Sequence, residues 1–104
     1  MMRSRIGGAR PYTAMVLHTT AAFSRPACDQ IIWEHGRRNM ALVEAGLLSV
    51  VLPVADDSDV AGYGVFNADA GTTRRLMADD PGVRAGIFRV EVHPVRGFPG
   101  ACLP

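Results

Sequence analysis

Apolar residues along this chain come in short blocks whose spacing alternates between strand-like and helix-like periods. Residues 12–19 (Tyr-Thr-Ala-Met-Val-Leu-His-Thr) are rich in apolar and β-favouring side chains and lose their pattern at Thr19-Thr20-Ala21, which predicts a first strand. Arg25-Pro26 then opens a long segment with apolar positions at Cys28, Ile32, Leu42 and Val43. Proline suits a first helical turn and Gly46 a C-terminal cap, so a helix is predicted as far as Ala45. Residues 47–52 are apolar except for Ser49 and lie between Gly46 and Pro53, as a buried second strand would. The acidic, unpatterned stretch 55–61 predicts an exposed loop, and Tyr63-Gly64-Val65-Phe66 a third strand. Asp69 is a good N-cap for a second helix over 70–79, which Pro81 ends because its ring disfavours helical geometry at the preceding residue. Residues 87–93 alternate, with Phe88, Val90 and Val92 on one face and Ile87, Arg89, Glu91 and His93 on the other, and form a fourth strand. The predicted order is β-α-β-β-α-β.

In a chain of 104 residues that order predicts one α+β domain of ferredoxin-like type. Four antiparallel strands carry both helices on one face, because right-handed crossovers place them there. The other face then needs a cover. A second copy of the chain, as in a dimeric α+β barrel, or the Pro- and Gly-containing tail 94–104 would supply it. Residues 12–97 are read as the domain, 98–104 as a C-terminal tail, and 1–11 as a disordered basic arm without the apolar core of a signal peptide.

Composition narrows the function classes. No apolar run approaches the roughly 20 residues of a membrane span. The net charge of +1 arises in the arm, since from residue 12 onward eight Arg face ten acids, a balance of −2. Arg37-Arg38 and Arg74-Arg75 are separate pairs among acids rather than one basic face, which argues against nucleic acid as a partner. Cys28 and Cys102 have neither metal-ligand nor redox spacing, so a reduced, soluble, cytoplasmic protein is expected.

Four polar residues fall where chemistry could occur. His35 follows Ile32 by three positions, with Asn39 and Leu42 four and seven further on, so His35 and Asn39 sit within the apolar stripe of the first helix. That placement suits a core histidine bonded to a neighbouring carbonyl as well as a reactive one. Asp80 lies four after Leu76, near the inner face at the end of the second helix, where it reads equally as a turn residue before Pro81. His18, at the end of the first strand, is a second candidate for lining a cleft, whereas His93 reads as a surface residue. No two histidines have the spacing of a helical zinc site, there is no phosphate loop and no nucleophile elbow, and no metal or cofactor is expected.

These residues resemble the YCII-like family of small dimeric α+β proteins. The resemblance covers roughly 12–97 and rests on His35, on Glu44-Ala45-Gly46-Leu47-Leu48 with Pro53 after it, and on Asp80-Pro81-Gly82-Val83-Arg84-Ala85-Gly86 followed by Val90-Glu91-Val92-His93-Pro94. Leu52 stands where the family usually has glycine, and Thr19-Thr20-Ala21 replaces a frequent Pro-Gly-Pro. The family is associated with a His-Asp pair in a cleft, and its members include a dehydrochlorinase of a chlorinated hydroxyhydroquinone. The resemblance therefore implies a homodimer with His35 and Asp80 as the catalytic pair of a cofactor-free lyase or isomerase acting by general base chemistry, and the strand-end position of His18 and the helical position of Asn39 put them beside its small-molecule substrate. A non-catalytic dimeric binding or accessory module, and a cofactor-free monooxygenase, are the alternatives.

Overall fold

The structure, a computed structural model, describes residues 8–104; the start of the basic arm, with Arg3 and Arg5, lies outside the described residues. Strand β1 (Arg10–Thr19) leads to helix α1 (Asp29–Glu44), strands β2 (Leu48–Pro53) and β3 (Val60–Phe66), helices α2 (Ala70–Ala78) and α3 (Pro81–Arg84), and strand β4 (Phe88–Gly97). The sheet order is β2-β3-β1-β4, and every pairing is antiparallel. This is the ferredoxin-like β-α-β-β-α-β arrangement, with one short helix added before the last strand.

Alternation along β1 assigns the two faces of the sheet. Thr13, Met15 and Leu17 are buried, and their cross-strand partners include Phe66, Val92 and Val90. Leu42 of α1 and Met77 of α2 join Met15, Leu17, Leu48, Phe66 and Phe88 in a single core, so both helices cover this one face. The opposite face carries Ala14, Val16, Val50, Leu52, Tyr63 and Val65 with no helix over it among the described residues, and Leu52 and Tyr63 are exposed. Residues 98–104 are exposed throughout, so the tail does not cover that face.

Several boundaries differ from expectation. β1 begins at Arg10, which pairs with Gly97, so Arg10 and Pro11 belong to the sheet rather than to a loose arm. β4 continues past Pro94 because it is an edge strand, where a missing N–H costs no ladder bond. Helix α1 begins at Asp29 rather than Pro26, since turns closed by Cys28 N–H to Ser24 O and Asp29 N–H to Pro26 O occupy the approach. Its C-terminus follows the predicted form: Gly46 takes φ +77° and Leu47 N–H returns to Leu42 O at 3.1 Å.

Candidate functional site

Asp80 is the N-cap of α3, a role that reading it as the end of a longer second helix missed. Its φ of −64° and ψ of 134° turn the chain out of α2, and its Oδ2 accepts the N–H groups of Gly82 and Val83 at 2.9 and 3.3 Å. These bonds hold the carboxylate in one orientation and leave Oδ1 free to point at α1. There it meets His35 Nδ1 at 2.7 Å. Asp80 is fully buried and the His35 side chain 12% exposed, so the bond is shielded while the ring keeps an open edge. One oxygen thus serves the turn before Pro81 and the other meets His35.

A carboxylate only accepts, so His35 Nδ1 is the donor of this bond, and in the neutral imidazole the lone pair then lies on Nε2. Asn39, one helical turn on, places Nδ2 at 3.2 Å from that Nε2. Its own Oδ1 is buried without a partner. Phe88 packs against the imidazole with ring centroids 5.0 Å apart, and Phe23 packs on Phe88 at 5.9 Å. Phe88 can lie this close because Gly82 has no side chain: a Cβ there would run into the Phe88 ring. Strand alternation in the sequence grouped Phe88 with Val90 and Val92 on one face without linking it to His35.

A cavity of about 530 Å³ opens beside this pair, between α1 and the strands β2 and β3. His35 and Asn39 stand in its wall among apolar groups such as Met15, Leu17 and Phe88, with Gly62 and Gly64 across from them. Its size falls within the range of small-molecule sites, and of its polar lining residues Asn39 bonds the imidazole, whereas Arg25 and Asp56 pair with Asp29 and Ser58.

His18 does not belong to this site. Strand alternation turns it to the opposite face from Met15 and Leu17, where its Nε2 meets Glu91 Oε1 at 2.8 Å. His93 bonds the other oxygen of the same carboxylate, and these two bonds, that of His93 foremost, hold the Glu91 carboxyl below its ordinary range. Reading His18 by its place at a strand end ignored which way its side chain faced. Among the described residues, no group of three or more His, Cys, Asp or Glu side chains is arranged to hold a metal ion.

No family model matches the chain, and neither does any curated protein. Among solved structures it is similar to 5-chloro-2-hydroxyhydroquinone dehydrochlorinase (TftG) from Burkholderia phenoliruptrix AC1100 in complex with 2,5-dihydroxybenzoquinone. The TM-score is 0.53 at 19% identity, over 79% of this chain and 90% of that one. At that identity the likeness is one of fold, and this chain is accordingly a ferredoxin-like α+β domain of the same general architecture as that enzyme.

Proposed function

We propose that this protein is a cofactor-free enzyme that abstracts a proton from a small cyclic or aromatic metabolite, with elimination or isomerisation following. The observation that carries this reading is the His35–Asp80 pair, a shielded 2.7 Å bond on one side of an imidazole whose other side meets a cavity. Asp80 fixes the tautomer and the ring orientation, and His35 Nε2 takes the proton. The electrons of the broken C–H bond form a double bond as a leaving group departs with its own pair, or the proton returns at another carbon. Asn39 Nδ2 must yield Nε2 to the substrate and can then bond a substrate oxygen. The resemblance of residues 80–86 to YCII-like proteins and the fold shared with a dehydrochlorinase both favour this chemistry. The reading further holds that the protein is a cytoplasmic homodimer whose second copy covers the open sheet face.

The test is turnover together with melting in His35→Ala and Asp80→Asn. Both variants should stay folded and lose activity on a substrate found by screening hydroxylated cyclic compounds. Folded variants with unchanged turnover sink the proposal.

One observation favours a second reading, a non-catalytic dimeric module that binds a small molecule or assists a partner enzyme. Both ring nitrogens of His35 already have protein partners, as a purely structural histidine would. In that case His35→Ala costs about 1–3 kcal/mol of stability and leaves ligand binding intact.

A further inference from the structure

Along α1 the residues Ile32, Gly36 and Met40 follow one another at intervals of four and form a single ridge bordering the cavity, with His35 and Asn39 on the ridge beside it. Gly36 is the break in that ridge. A glycine inside a helix forfeits stability that alanine would keep, unless close packing or a left-handed backbone requires it. Neither applies, because a Cβ built on Gly36 meets nothing within 4 Å and its backbone is ordinary helix. The two glycines of the facing strand differ. A Cβ on Gly62 would stand 3.1 Å from Leu52 O, and one on Gly64 3.1 Å from Met15 Cε and 3.2 Å from Leu48 Cδ1. Packing accounts for Gly62 and Gly64, but not for Gly36.

We propose that Gly36 is the specificity-determining position of the site: its missing side chain leaves a notch between Ile32 and Met40 that admits a flat, ring-sized molecule edge-on to His35. The inference rests on the reading of this cavity as a ligand site and adds the shape it accepts. Gly62 and Gly64 add no side chains to the facing strand, where Met15 Cε and Leu48 Cδ1 lie against Gly64, so a ring in the cavity rests between these apolar groups and the notched helix. A puckered ring is thicker across its faces than a planar one of equal size and should accordingly fit less well. A side chain as small as methyl at position 36 projects into the space the ring would occupy.

The experiment compares the wild type with Gly36→Ala, Gly36→Leu and Gly71→Ala by calorimetric titration and thermal melting. Planar 2,5-dihydroxybenzoquinone and puckered cyclohexane-1,4-diol serve as probes. Gly71 lies in the first turn of α2, away from the cavity, and only ordinary contacts would meet a Cβ there. The wild type should bind the planar probe at least tenfold more tightly than the puckered one. Gly36→Ala should melt about 2–6 °C higher yet bind the planar probe at least tenfold more weakly. Gly36→Leu should bind neither, and Gly71→Ala should bind like the wild type. A Gly36→Ala protein that binds as tightly as the wild type overturns the inference, as does a wild type that binds neither probe or prefers the puckered one. Binding of the planar probe that obeys Gly36, together with turnover of a screened substrate unchanged in His35→Ala, supports the inference while removing the proton-abstraction reading.

Discussion

Asp80 uses its two carboxylate oxygens for different purposes, and each purpose makes the other possible. Oδ2 starts α3 by accepting two backbone N–H groups, and Oδ1, held in place by that cap, orients His35. Asp80→Ala should therefore cost about 3–5 kcal/mol in urea unfolding, because it leaves buried N–H donors and the His35 Nδ1–H unpaired. A loss under 1 kcal/mol would contradict the account. Gly82→Ala should cost about 1–3 kcal/mol by overpacking against Phe88 and should also displace the ring that flanks His35. Chemical shifts of the His35 ring protons check the second effect. Helical spacing was enough to put His35 and Asn39 on the inward face of α1, since i, i+3 and i+4 neighbours share a side, whereas the same spacing treats Asp80 as the end of a helix that stops at Ala78. It was not enough for His18, whose face depends on strand register, nor for Gly36, whose significance is a space that no periodicity records.

At the scale of elements, the four strands and two long helices were legible because each has a period and an end signal. The short helix α3 was not, since a four-residue element has no period to detect and its Asp-Pro start reads as a turn. End signals also carry a pH dependence. Asp69 caps α2 by accepting Thr72 N–H, a bond that holds its carboxyl below the ordinary range, and Glu91 on β4 is held low by His93 and His18. In such groups the folded state releases its proton more readily than the unfolded chain. Their stabilisation is complete above the unfolded carboxylate value of about 4 and disappears as pH falls through the lower folded value. Unfolding midpoints between pH 6 and 2.5 should fall on acidification, and Asp69→Asn together with Glu91→Gln should flatten that decline. An acid limb unchanged in the double variant would show that these bonds contribute nothing.

The whole molecule has one covered sheet face and one open one, and the two differ in kind. The covered face holds the core and the cavity; the open face combines Val16, Val65 and Tyr63 with the His18–Glu91–His93 cluster. The tail, whose Phe98 and Leu103 are exposed, leaves it open, which strengthens the case for a second copy as its cover. Sedimentation should give a dimer for the wild type and a monomer for Val16→Glu, which puts a charge at the centre of the open face; a monomeric wild type would remove the homodimer. Order of elements and layer arrangement were readable from pattern alone, whereas what covers the open face is a property of assembly that no single chain's pattern encodes. The proposed chemistry has His35, held by Asp80, remove a proton from a small ring compound, and deuterium uptake from heavy water by a panel of hydroxylated quinones and cyclic ketones measures that step without knowledge of the later chemistry. The wild type should catalyse exchange into at least one compound, slowed about 10²–10⁴-fold in a folded His35→Ala protein; exchange at the wild-type rate in that variant would show that His35 is not the base.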